Sequence, residues 1–266
     1  MRILTYGSLA SGIGGLDLAV EAVLGVEQIW HAEYDKNPSK IHEHHWPGIP
    51  NLGDITKIDW SEVERPDIIC GGYPCQPFSS AGKRQGFEDV RNLWPYFADA
   101  IRTLRPNLVI LENVAAHLSL GFGQVLGDLA EIGYDAEWGV FRASEVGAPH
   151  RRERVFIVAY TPDERRETDS FSQRTPAQTF KYDLASFPWR RFERAIRRWE
   201  SIRGEYAPIP LDQGILNPEF VEWMMGYEIG WTEGISRTGL LKALGNAVLP
   251  QQGELAVRTL TERMRR

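Results

Sequence analysis

Cys75 stands between two prolines in Gly71-Gly72-Tyr73-Pro74-Cys75-Gln76-Pro77-Phe78-Ser79, directly after the short β-branched run Pro66-Asp67-Ile68-Ile69-Cys70. The run predicts a strand with Cys70 in its interior. Cys75 then falls beyond the strand's carboxyl end, where open α/β sheets bind ligands. Pro74 and Pro77 fix φ on either side of Cys75-Gln76 and remove two amide donors, so the loop is stiff and aims its side chains reproducibly. The chemistry open to such a thiol is nucleophilic addition. Taken alone, an inert thiol on a rigid surface loop is the commoner case. A second group of interest is Gly12-Ile13-Gly14-Gly15, which leaves the backbone almost bare of Cβ atoms at a strand-to-helix turn. That permits close approach of a nucleotide-like ligand, and plain helix–strand packing explains it as well. Asp17 occupies the place of the last glycine in G-x-G-x-x-G, so a pyrophosphate would meet a negative charge. This disfavours NAD and FAD and favours a ligand without phosphate.

The elements that must position these groups alternate regularly. Residues 2–9, 28–33, 67–70, 108–111, 136–141 and 154–160 read as strands, and 14–24, 37–46, 93–104 and 124–132 as helices, with Pro95 tolerated in a first turn. That order predicts an α/β fold, a doubly wound, mostly parallel sheet. After Tyr160 the prolines at 162, 176, 188, 208 and 210 break any long element, and helical spacing returns only at 219–225 and 251–264. We therefore expect a domain over 1–160, a small second domain over 161–238, and a C-terminal segment over 239–266.

Composition bounds the function. The chain has 266 residues, 42% of them hydrophobic, enough for a full α/β core and one further small domain. Two cysteines exclude a disulfide framework. The N-terminus enters a strand with no apolar signal core, and no run approaches the length of a membrane span, which predicts a reducing, cytoplasmic setting and no membrane partner. His42-Glu43-His44-His45 has the wrong spacing for one helix face, so no metal site is expected. The net charge is −6, yet between Arg151 and Arg203 there are 13 Lys and Arg against 8 Asp and Glu. Arg190, Arg191, Arg194, Arg197, Arg198 and Arg203 lie there beside Phe187, Trp189, Phe192 and Trp199. A solvated amphipathic helix and a phosphate-binding surface both fit this segment.

Pro74-Cys75-Gln76-Pro77-Phe78-Ser79 resembles the catalytic loop of DNA (cytosine-5) methyltransferases, and further motifs of that family follow in order. They are Ser8-Leu9-Ala10-Ser11-Gly12-Ile13-Gly14-Gly15, Ala32-Glu33-Tyr34-Asp35, Gly53-Asp54-Ile55, Leu111-Glu112-Asn113-Val114, the stretch from Gly147 to Val155, and Ala243-Leu244-Gly245-Asn246-Ala247-Val248. The resemblance covers the chain apart from roughly 161–215. It implies the Rossmann-like fold of class I S-adenosylmethionine-dependent methyltransferases, with a small target-recognition domain and a final helix packed back on the first domain.

The chemistry the resemblance implies is methylation of C5 of a cytosine turned out of double-stranded DNA. Cys75 would be the nucleophile, Glu112 a carboxyl group at N3 of the base, Arg154 the contact to O2 that orients Glu112, and Arg152 a holder of nearby backbone or of the addition product. The cofactor would be held by Ala10, Ser11, Gly12, Gly14, Glu33, Tyr34, Asp54, Ile55 and Asn246. Glu33 would accept from the ribose hydroxyls, Asp54 from the adenine amino group, and Asn246, in the loop entering the last helix, would close the pocket. Tyr73, Pro74, Ser79, Lys83, Arg84, Arg190 and Arg191 would meet the DNA. Ala10 stands where the family usually has an aromatic residue, shifting adenine stacking to Tyr34, and His150 stands where it usually has glutamine. A monomer is expected, with a companion restriction endonuclease as a candidate partner. The alternatives are an RNA (tRNA) cytosine-5 methyltransferase, a catalytically idle DNA-binding protein and, last, a nicotinamide oxidoreductase.

Overall fold

The computed structural model of the chain describes residues 2–73, 93–162 and 187–265. Short apolar runs form the centre of the sheet: β1 (Thr5–Leu9), β3 (Ile68–Gly72) and β4 (Leu108–Val114). Cys70 and Val109 to Leu111 are wholly buried, as expected of parallel strands covered on both faces. With β2 (Glu27–Ala32), β5 (Asp135–Arg142) and β6 (Glu153–Tyr160), they make a six-stranded sheet of order β2-β1-β3-β4-β6-β5. β1 runs parallel to β2 and β3, and β3 to β4, whereas β6 is antiparallel to both β4 and β5. The mostly parallel, doubly wound sheet expected from the sequence is the fold found. β1 starts at Thr5, later than residue 2, where its pairing with Glu27 of β2 begins, and Ile68 of β3 first faces Tyr6. Arg2 is instead tied to the Asp67 carboxylate at 2.8 Å.

One face of the sheet carries α3 (Trp94–Leu104) and α4 (Phe122–Ile132), which bury Trp94, Phe97, Ile101, Val125 and Leu129. The other carries α1 (Gly15–Leu24) and the final helix α8 (Pro250–Met264), through Leu16, Val20, Val257 and Leu260. The last helix therefore packs back on the sheet, beside the first. α2 (Lys36–His45) follows β2, with the Asp35 carboxylate capping it by accepting from the Asn37 amide at 3.1 Å.

Beyond residue 187 lie α5 (Glu193–Arg203), a two-stranded hairpin of β7 (Leu211–Asp212) and β8 (Ile215–Leu216), α6 (Pro218–Met224) and α7 (Arg237–Asn246). Trp189, Trp199, Trp223, Trp231 and Leu244 join Ile13 and Ile41 in a third apolar cluster. α7 is not foreshadowed by the sequence, since Gly239 and Gly245 fall within its ten residues and each weakens a helical pattern. It corrects one expectation: Asn246 ends α7 and is not a loop residue.

Candidate active site

β3 and β4 pair so that Gly72 faces Glu112. A Cβ at Gly72 would lie 3.0 Å from Glu112 Oε2, so the carboxyl group rests against the strand's exit. Asn113 Nδ2 donates to the Tyr73 carbonyl at 3.1 Å, fixing the chain where it leaves β3. Tyr73 is buried against Trp94, Phe97 and His117. Cys75 follows two residues later; Pro74, Cys75, Ser79, Lys83 and Arg84 lie outside the described residues.

On β6, Arg154 brings Nε to 2.8 Å from Glu112 Oε1, and both side chains are largely buried. Burial raises the pKa of Glu112, with Arg154 and then Arg152 opposing it. Arg152 is turned elsewhere. It occupies the left-handed region at φ 35°, and its guanidinium donates to the carbonyls of Gly245, at 2.9 Å, and Ala247. Burial pushes its own pKa down to about 10. Of the two roles expected of Arg152, this geometry matches holding nearby backbone.

Beside the Glu112–Arg154 pair opens a cavity of about 600 Å³, within the range of small-molecule sites. Ala10, Ser11, Gly12, Glu33, Tyr34, Asp54, Ile55 and Asn246 all line it, together with Tyr73, Glu112 and Arg154. Gly14 does not. A Cβ there would meet the Trp46 ring at 2.3 Å, and with φ 82° Gly14 forms the turn into α1 and packs beneath that indole. Gly12 is different: with φ 57° it has open space where a Cβ would point. Its amide donates to Glu33 Oε2 at 2.9 Å, while Glu33 Oε1 accepts from the Asp35 amide at 2.7 Å. One carboxylate thus spans the glycine turn and the exit of β2. Tyr34 is 75% exposed. Asp54 lines the cavity and also caps a short turn, accepting from the Thr56 amide at 3.1 Å and hydroxyl at 2.8 Å. Arg190 and Arg191 are exposed and away from the cavity, the latter lying over the Phe192 ring at 4.8 Å.

Sequence reasoning missed the wall supplied by α2 and α7. Asn37, Gly239 and Lys242 line the cavity, and Lys242 Nζ pairs with Asp35 Oδ2 at 2.9 Å. The usable signal was Ser236, a helix cap whose hydroxyl accepts from the Gly239 amide at 3.3 Å. Asn113 was missed as well, although an asparagine following the last strand carboxylate marks the position.

Asp17 lies at the cavity's buried edge, where its Oδ1 accepts from Gln28 Nε2 at 2.9 Å. Gln28 Oε1 in turn meets His42 Nε2 at 2.9 Å, so His42 belongs to a buried polar chain. Among the described residues no group of three His, Cys, Asp or Glu is placed to hold a metal ion. Burial raises the Asp17 pKa to about 7, well above its unfolded value. The folded state then holds a proton the unfolded chain releases between about pH 4 and 7, so this residue's contribution to stability is full below that window and lost as pH rises through it. Asp17→Asn is expected to remove that slope, about 1.4 kcal/mol per pH unit at most. The check is Tm against pH: the variant should gain on wild type from pH 5 to pH 8, and a constant difference would contradict the assignment.

The model of the C-5 cytosine-specific DNA methylases matches residues 4–207. The chain belongs to that family. Type II methyltransferase M1.ScrFI of Lactococcus lactis subsp. cremoris is 35% identical over 175 residues, 64% of this chain and 45% of that protein. Type II methyltransferase M.HhaI of Haemophilus parahaemolyticus is 33% identical over 186 residues, 68% of this chain and 56% of that protein. The chain spans about half the length of the curated relatives it matches. Among solved structures, an E. coli prophage-encoded candidate DNA modification methyltransferase matches with a TM-score of 0.67 at 18% identity, covering 97% of this chain and 99% of that one. The S. pombe Dnmt2 methyltransferase matches with 0.65 at 15% identity, covering 98% and 99%. At such identities the likeness concerns the fold. The family match takes in all six strands of the large sheet and α5, and α6, α7 and α8 lie beyond it. No helix among the described residues is long and apolar enough to cross a membrane.

Proposed function

We propose that the chain is an S-adenosylmethionine-dependent DNA (cytosine-5) methyltransferase acting on a cytosine turned out of a specific duplex sequence. The observation that carries the reading is the buried Glu112–Arg154 pair beside the exit of β3, the strand that ends three residues before Cys75, and beside the cavity of about 600 Å³.

The cavity suits the cofactor in its donor set. The Glu33 carboxylate, already fixed by two amides, keeps lone pairs for a vicinal diol; Ile55 and Tyr34 offer apolar surface, Asp54 an acceptor, and Gly12 an approach free of Cβ. When bound, S-adenosylmethionine supplies an electrophilic methyl group on a cationic sulfur. The Cys75 thiolate adds to cytosine C6, which raises electron density at C5. Glu112, whose pKa burial raises against the pull of Arg154, shares a proton with N3 as that density arrives on the ring. Arg154 holds Glu112 in line and donates to the base O2. Arg152 fixes the backbone of Gly245 and Ala247 on either side of Asn246. Once the C5–methyl bond has formed, water takes the C5 proton and Cys75 is expelled, restoring the ring.

DNA contacts fall to Ser79, Lys83, Arg84, Arg190 and Arg191, with target choice in 161–238 and the enzyme acting as a cytoplasmic monomer. A companion endonuclease fits a restriction–modification role. The test is transfer of labelled methyl from S-adenosylmethionine to mixed-sequence duplex DNA, with tRNA in parallel, followed by base-resolution mapping of 5-methylcytosine. Methylation of DNA at one recurrent sequence is expected. Methylation of tRNA alone, or of neither, overturns the reading.

A further inference from the structure

The arginines around α5 do not share one task. Arg190, Arg191 and Arg194 are exposed and make no ion pair among the described residues. Arg197 pairs with Glu193 and Glu200, and Arg203 with Glu205. Arg198 points to the catalytic side of the molecule: Nε donates to the Gly147 carbonyl at 3.0 Å, and Nη2 reaches the Ala148 carbonyl at 3.5 Å. One turn on, Ile202 Cδ1 fills the space beside Gly147, 2.0 Å from where a Cβ would stand, and Gly147 has φ 90°. A side chain at 147 would have to push the Ile202 side chain aside and adopt a backbone conformation that favours glycine.

The stretch that Arg198 grips leads into the active site and is pinned at every step. His150 Nε2 meets the Met224 carbonyl at 3.0 Å. The Arg152 carbonyl accepts from Gln252 Nε2 at 2.8 Å. Two residues later comes Arg154, on Glu112. Arg152 itself sits at φ 35°, a strained region for a non-glycine residue that persists only where its surroundings over-determine it. Only Glu153 separates Arg152 from Arg154, so the backbone held at Arg152 bears directly on the partner of Glu112. α5 is a stiff lever for this purpose, because Trp199 is wholly buried and its indole donates to the Trp223 carbonyl at 2.9 Å. Arg194, Arg198 and Ile202, spaced by four, share one face, so a backbone phosphate at Arg194 acts one turn from the grip on Gly147.

We propose that Arg198 is a positioning residue for the Glu112–Arg154 pair, and that through it α5 couples engagement of a nucleic-acid backbone at Arg190, Arg191 and Arg194 to the active site. This rests on the DNA methyltransferase reading above. In the test, Arg198→Ala and Arg198→Lys are compared with Arg194→Ala in the full chain. Arg198→Ala is expected to lower kcat by about 10- to 100-fold with little change in KM for DNA or in S-adenosylmethionine affinity. Arg198→Lys, which keeps one donor to the Gly147 carbonyl, should restore part of kcat. The effect of Arg194→Ala should fall on KM for DNA, with a shallower salt dependence. Hydrogen exchange of the 147–154 amides supplies a readout that needs no turnover: duplex DNA should slow it in wild type and in Arg198→Lys but not in Arg198→Ala. Unchanged kcat and exchange in Arg198→Ala overturn the inference, as does a loss confined to KM, the mark of an ordinary phosphate contact. DNA-dependent protection without methyl transfer would overturn the functional reading and leave the coupling standing.

Discussion

Glu112→Gln is expected to lower kcat for methyl transfer by about 10²- to 10⁴-fold, the span of positioned proton-transfer groups. The amide keeps the carboxyl group's shape, so its oxygen can still accept from Arg154 Nε, now 2.8 Å from Oε1. What it loses is the ionisable carboxyl group and with it the transferable proton. Binding of S-adenosylmethionine should change little, because the carboxylate fixed between Gly12 and Asp35 belongs to Glu33. The pH profile gives a second reading. Burial raises the pKa of Glu112 while Arg154 and Arg152 oppose it, and its protonated form is the useful one. In wild type kcat should therefore fall as pH climbs through the raised value, and the variant should lack that alkaline limb. A variant within a few-fold of wild type at neutral pH, with the limb intact, would remove Glu112 from the proton's path.

Cys75→Ala should abolish methyl transfer, with a loss beyond that of Glu112→Gln, because without the thiolate no covalent route exists and C5 remains unreactive. Cys75→Ser should do little better, since a hydroxyl is a weak nucleophile without a dedicated base. DNA binding ought to survive both changes. Duplex carrying 5-fluorocytosine separates this role from a structural one: with fluorine at C5 there is no proton to remove, so the cysteine–C6 bond cannot be broken in the usual way and wild type should form an adduct that withstands denaturant. Adduct formation by Cys75→Ala would assign the nucleophile to another residue.

The central strands were legible because Ile68-Ile69-Cys70 and Leu108 to Leu111 are continuous apolar runs, a pattern that only a sheet covered on both faces requires. Glu33 and Glu112 stand at the ends of predicted strands, and their roles were implied by the resemblance of the motifs that contain them. α7 was hidden by Gly239 and Gly245, whose cost within a helix is met by packing that no local window contains. Gly12 and Gly14 look alike in sequence. Which faces the cavity and which lies under Trp46 is settled by a ring 32 residues away in the chain. The arginines were least legible of all. Arg198 read as a cation on a solvated or phosphate-binding face, and Arg152 as a holder of backbone or of the addition product, but the carbonyls of distant segments that both meet were not legible. A carbonyl leaves no trace in residue identity, so such partners emerge only from the fold.

The wall formed by Gly239, Lys242, Ala243 and Asn246 bears on how the molecule is made. Synthesis proceeds from the amino end, and every strand of the sheet has left the ribosome before this wall exists. Until then the nascent protein offers an open groove, and the Asp35–Lys242 tie that spans it has only one of its two ends. Any stabilisation from a small ligand, which scales with its affinity for the completed native state, therefore arrives after the strands of the sheet have been made and cannot guide their first pairing.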